Sequence, residues 1–277
     1  MSQHDGPIRP EDYLEPVCPL NCGPHRASKS VPQRRIQEKL DEYMGRKDYA
    51  GAERHLLYWQ VEARQGNDLQ GQLLICNELI GFYRKTGSGE KAFAAGDEAL
   101  RLLSLLSLDD SVSAGTTYVN LATAYSAFGK DEQAIVLFSR ARTLFESHRA
   151  DPELLGGLYN NMGLACAALR RFPEAFTLYD LALETMLTVP GSEPEQAITC
   201  MNIADALDAE QGDSMKNNER IAGLLLQARN LLLAPKTARD SYFAFVCEKC
   251  APGFRYYGDT ETADILEHLA EAVDEGT

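Results

Sequence analysis

A small residue returns about every 41 positions in this chain, and a second small residue follows it by seven. Ala92, Ala134 and Ala175 are spaced 42 and 41 residues apart, and Ala99, Ala141 and Ala182 follow them. Seven residues make about two helical turns, so each pair marks one face along which another helix can approach closely. Upstream, Ala52 lies 40 residues before Ala92, with Trp59 at the second small position. Downstream, Ala263 and Ala270 keep the spacing of seven. Between these, CMNIADALDAE (200–210) repeats the first helix of a unit and IAGLLLQARNLL (221–232) the second, with an insertion at 212–220 lengthening the turn. The pattern predicts six helix–turn–helix units between about Val31 and Asp274. One helical pair cannot bury its apolar face alone, so units of this kind must stack into a continuous core.

Proline and glycine agree with these boundaries. Asp151-Pro152 opens the fourth unit, Pro190-Gly191-Ser192 closes it, and Pro235 closes the fifth. The first 32 residues lack the pattern and are rich in proline. They read as a flexible arm (1–32) ahead of a repeat domain (33–275).

The side chains at fixed offsets carry a family resemblance. In the third unit they are Tyr118, Leu121, Ala122, Tyr125, Gly129, Ala134, Phe138 and Ala141; in the fourth, Tyr159, Met162, Gly163, Cys166, Ala175, Tyr179 and Ala182. This pattern resembles the tetratricopeptide repeat, and it covers roughly 240 of the 277 residues. The period exceeds the usual ~34 residues by about one extra turn per helix. In that respect it is similar to the repeats of kinesin light chains and of bacterial peptide-pheromone sensors. The resemblance implies an all-α, right-handed superhelical solenoid in which the first helix of each unit lines a concave wall.

Asparagines recur on that wall. Asn120, Asn161 and Asn202 stand 41 residues apart, each just before the consensus leucine position. The equivalent residue is Glu38 in the first unit, Glu78 in the second, beside Asn77, and Lys249 in the sixth; Asn160 adjoins Asn161. The resemblance implies that this position faces the groove. There an amide, with donors and an acceptor, can pair with the N–H and C=O of an extended peptide. The alternative is that each asparagine bridges neighbouring helices or faces solvent. Asp205 and Asp208 in the fifth unit, with Arg84 near the second and Arg255 near the sixth, would add selectivity, and a basic ligand residue near the two aspartates would fit. These charges can equally be a solvated face.

Net charge and composition exclude several classes. The chain carries a formal charge of −14, which argues against binding a phosphate backbone and leaves room for a cationic partner. No apolar run reaches the ~18 residues of a membrane span. The N-terminal residues show no basic-then-apolar export signal, so a cytoplasmic location is expected, with the seven cysteines reduced.

The remaining candidates are weaker. Cys247-Glu248-Lys249-Cys250 has the spacing of a redox or metal motif. The register nevertheless puts Cys76, Cys166, Cys200, Cys247 and Cys250 at core positions, where cysteine acts as a small hydrophobe. Cys18, Cys22 and His25 in the arm could ligate zinc, but no fourth ligand is evident. His55, His148 and His268 fall on second helices or their ends without a nucleophile or carboxylate partner in sequence. No Gly-rich loop after a strand, H-E-x-x-H or G-x-S-x-G is present. Tyr242, Phe243, Phe245, Phe254, Tyr256 and Tyr257 read mostly as core of the last unit, with the solenoid end as a possible homodimer surface. The expectation is a non-catalytic module, without cofactor or metal, that binds a protein or peptide segment in its groove. A peptide-responsive sensor and a scaffold binding through its ends remain the alternatives.

Overall fold

The structure is a computed structural model that describes residues 29–211 and 215–276. The described residues hold twelve helices and no strand. They pair as the repeat predicts. The first unit is α1 (Gln33–Gly45) with α2 (Tyr49–Gln65), and the second is α3 (Leu69–Lys85) with α4 (Gly89–Leu105). The third is α5 (Val112–Ala127) with α6 (Asp131–Ser147), and the fourth is α7 (Pro152–Ala168) with α8 (Phe172–Met186). The fifth is α9 (Glu193–Gln211) with α10 (Met215–Leu232), and the sixth is α11 (Ser241–Tyr256) with α12 (Thr260–Gly276). The chain is an all-α repeat solenoid that falls into two compact units divided after Asp110. Residues 1–28, and with them most of the expected arm and the Cys18, Cys22 and His25 set, lie outside the described residues.

The periodic alanines are the tightest points of the fold. Ala52, Ala92, Ala134, Ala175 and Ala263 are all 0% exposed. So are Ala99, Ala141, Ala182 and Ala228, while Trp59 fills its position at 6%. Glycines mark equally close approaches within the second compact unit. A Cβ on Gly115 would come within 2.4 Å of the Phe145 ring, and one on Gly156 within 2.7 Å of Met186. Those two pairs are the same contact one repeat apart. Likewise Gly163 faces the ring of Tyr179, which occupies the place held 41 residues earlier by Phe138.

Among the described residues, nine turns each carry one left-handed residue. Within units that residue is Lys47, Gly87, Gly129, Arg170 or Gly258; between units it is Asn67, Ser107, Arg149 or Gly191. A residue in this conformation ends a helix by turning its N–H back to the last carbonyls. Several of the helices then start on a capping side chain. Asp48 accepts from the Gly51 N–H, Ser111 from Ala114, and Asp240 from Phe243. Asp68 serves twice. Its Oδ1 accepts from Gly71 N–H at 2.9 Å and caps α3, while its Oδ2 accepts from Val31 N–H at 2.9 Å and holds the entry to α1.

The five described cysteines are free and buried, as the register predicts. Burial pushes the thiols of Cys76 and Cys200 up to about 11, and those of Cys247 and Cys250 up to about 12. They stay protonated at neutral pH and pack as small apolar groups.

Two substitutions test this account. Lys47 holds a left-handed backbone at φ 57, where glycine carries no steric cost. Lys47→Gly is expected to stabilise the chain by about 0.5–1 kcal/mol in urea unfolding. The Tyr179 hydroxyl is buried with no hydrogen-bond partner. Tyr179→Phe is expected to stabilise by about 1 kcal/mol, and a loss of stability would show that the hydroxyl is satisfied in solution.

Candidate functional site

The first helices of the second compact unit, α5, α7, α9 and α11, pack side by side in chain order and form one wall. The asparagines lie on it, but they are not equivalent. Asn202 donates from Nδ2 to Asn160 Oδ1 at 2.9 Å, and Thr199 donates its hydroxyl to the same oxygen at 3.1 Å. Asn160 and Asn202 therefore stitch α7 to α9. The first compact unit repeats the stitch: Gln37 Nε2 donates to Glu78 Oε1 at 3.1 Å. In both cases the residue preceding the recurring asparagine position in one unit meets that position in the next.

This register rule explains which amide is left open. The residue that would stitch to Asn161 is Val119, whose side chain has no polar atom. Asn161 accordingly makes no side-chain hydrogen bond among the described residues. It borders a cleft of about 770 Å³ together with Asn120, Val119 and Thr116 of α5 and Leu154 and Gly157 of α7. Asn77, expected beside them, bonds within its own helix from Nδ2 to the Leu73 carbonyl at 3.1 Å.

The expected charges are arranged differently from the sequence reading. Asp205 and Asp208 accept hydrogen bonds from the hydroxyls of Tyr257 and Tyr256, each at 3.0 Å, so both face α11 side chains. Arg255 pairs with Asp264 and Glu267 of α12 at 2.9 Å rather than with the wall. Arg84 is exposed on the last turn of α3 in the first compact unit. Of the aromatic cluster, Phe243 and Phe254 are fully buried, but Tyr242 is 43% and Phe245 44% exposed.

The cleft instead collects carboxylates that the sequence reading missed. Asp151 and Glu153 at the start of α7, Glu195 in the first turn of α9, and Asp240 at the cap of α11 all line it, with Tyr242 beside them. Among its described lining residues there is no lysine, arginine or histidine. Glu195 Oε2 is buried without a hydrogen-bond partner. Burial first, and then the neighbouring Glu153, Asp240 and Glu193, raise its carboxyl above the ordinary value of 4.5. Glu193 itself is neutralised by Lys236 at 2.7 Å. Burial, followed by Glu195 and Glu153, also pushes the Tyr242 hydroxyl up, so it remains a neutral ring and donor. In sequence these acids are indistinguishable from ordinary first-turn and capping residues, which helix N-termini favour for their own sake.

Residues 72–147 match the tetratricopeptide repeat family. That match spans α3 to α6, and the other helical pairs resemble it in period. Over 191 residues the chain is 24% identical to the protein kinesin light chain-related 3 of Arabidopsis thaliana, which covers 66% of this chain. The chain spans only 29% of that relative's length. Among solved structures it is similar to BtubC (BKLC) from P. vanneervenii, at 18% identity and a TM-score of 0.57, covering 84% of this chain and 91% of that one. It is also similar to the nearly identical TPR-like repeats of a kinesin-light-chain-type protein from Podosopora anserina, at 16% identity and a TM-score of 0.52. That match covers 74% of this chain and 96% of the other. The structural likenesses concern the fold. Repeats of this kind serve generally in protein–protein interaction, and no helix among the described residues is long and apolar enough to cross a membrane.

The raised carboxyl gives a pH test. Glu195 is neutral in both folded and unfolded chains well below its ordinary value, and its ionisation opposes folding increasingly as the pH rises from that value through its raised folded value. Glu195→Gln is therefore expected to raise the melting temperature at pH 7 and to leave it unchanged at pH 4. An equal effect at both pH values would show that the carboxyl is not held up in the folded chain.

Proposed function

We propose that this chain binds an extended protein segment along the first-helix wall of its second compact unit, as a non-catalytic interaction module. The observation that carries the reading is the unstitched amide of Asn161 at the border of a cleft long enough to involve α5, α7, α9 and α11. An amide that neighbouring helices leave unpaired keeps its donors and acceptor for a ligand backbone. Exposed apolar groups flank it on the same helix, with Leu154 at 37% and Leu164 at 40%. An extended chain laid across the wall would bury these groups and pair a peptide group with Asn161. The stitched pair Asn160 and Asn202 would hold the wall's register and contribute little to the ligand directly.

Affinity capture from host lysate on the wild type and on Asn161→Ala is the direct test. A partner retained by the wild type and lost by the variant, with both equally stable to heat, is the expected result. A partner retained equally by both would move the binding site away from this cleft.

A further inference from the structure

We propose that residues 11–17, read EDYLEPV, lie along the outer face of α2 in the same chain and cover it. That face departs from the repeat. Leu57, Tyr58 and Val61 are 40%, 54% and 48% exposed and point to one side of the helix. Counted from the periodic alanine, their places are held by Asp97, Glu98 and Arg101 in the second unit and by Ser139, Arg140 and Thr143 in the third. None of those six is buried, so this is the solvent side of the second helices. In the fourth, fifth and sixth units one leucine each stands there, Leu181, Leu226 and Leu269. Only α2 sets three large apolar side chains together on the side that its counterparts give to water, and a contiguous apolar patch of that kind marks a contact surface.

Charge and chain path select the occupant. Arg54 and Arg64, both exposed, stand at the two ends of the patch, and ten residues of helix set them ~15 Å apart. The acids beside them are already engaged, Glu53 with Lys91 at 2.8 Å and Glu62 with Lys29 at 3.9 Å. The face therefore reads basic, apolar, basic. Its complement is a segment that reads acidic, apolar, acidic, and Glu11 and Glu15 flank Tyr13 and Leu14 in that order. In extended chain those two glutamates stand ~13 Å apart, close to the spacing of the arginines. The described residues begin at Lys29, which donates its N–H to the Gly66 carbonyl at 3.4 Å, at the C-terminal end of α2. The preceding chain thus starts beside the patch. The link from Val17 to Lys29 spans up to ~40 Å, against a length of ~25 Å for α2. A tether of this kind holds the segment at an effective concentration on the order of millimolar, which favours it over an unattached partner.

The full chain made with Tyr13→p-benzoylphenylalanine supplies the test, because that aromatic side chain joins covalently to a neighbouring C–H under near-ultraviolet light. Mass spectrometry of the digested protein maps the link, and a denaturing gel separates links within one chain from links between two. The expected result is a link within one chain to residues 54–64 of α2. Its yield should fall about fivefold on adding Arg54→Glu and Arg64→Glu, and recover when Glu11→Arg and Glu15→Arg are added to that variant. Both arginines are exposed, so their reversal leaves the core of the first unit unchanged. A link between two chains would put a second copy on the face in place of the segment and overturn the proposal. A link elsewhere, no link, or a yield indifferent to the charge reversals would overturn it as well.

Discussion

The close approach of helices at small residues is the constraint on which the rest depends. The second helices α4, α6, α8 and α12 each turn a buried alanine toward their neighbours, and seven residues later they do so again; α2 and α10 keep one alanine of the pair. With a larger side chain at either point the helices would separate, and the aromatic residues packed above and below would lose their contacts. Glycine takes the same part where an aromatic ring comes close to the backbone, as Phe145 does at Gly115 and Tyr179 at Gly163. The period of about 41 residues is the distance along the chain between successive approaches of this kind.

That geometry fixes which side chains on the wall can meet. Successive first helices are offset so that one residue position in a unit faces a position one residue further on in the next. Two of these meetings are filled by polar pairs, Gln37 with Glu78 and Asn160 with Asn202. Val119 interrupts the series, and the interruption falls beside the cleft. A repeat protein acquires a site most easily where one copy departs from the pattern, because neighbours then no longer satisfy the group they leave behind. Here the departure leaves an amide without its stitch.

The number of units, their helical pairing and the burial of the cysteines were legible in the sequence. All three follow from a periodic pattern that local spacing expresses directly. The position of the asparagines on the first-helix wall was legible for the same reason. Their different states were not. Asn120, Asn161 and Asn202 are alike in register, yet Asn202 is engaged by Asn160 while Asn161 is not. The difference lies in Val119 and Asn160, residues that look unremarkable until two helices are set side by side. Asp205 and Asp208 similarly read as open charges until Tyr256 and Tyr257, about fifty residues away, reach back to them.

By itself, the sequence determined that this chain stacks helical pairs, where each pair begins and ends, and which face of each helix is buried. Those properties depend on residues near one another in the chain: a small residue every two turns, a capping aspartate, a left-handed turn. Tertiary structure alone decided which acidic groups meet. Asp151, Glu153, Glu195 and Asp240 come from the starts of three different helices, and only stacking brings them to one cleft. Burial raises the carboxyl of Glu195 among them, while Asp151, Glu153 and Asp240 stay exposed to solvent.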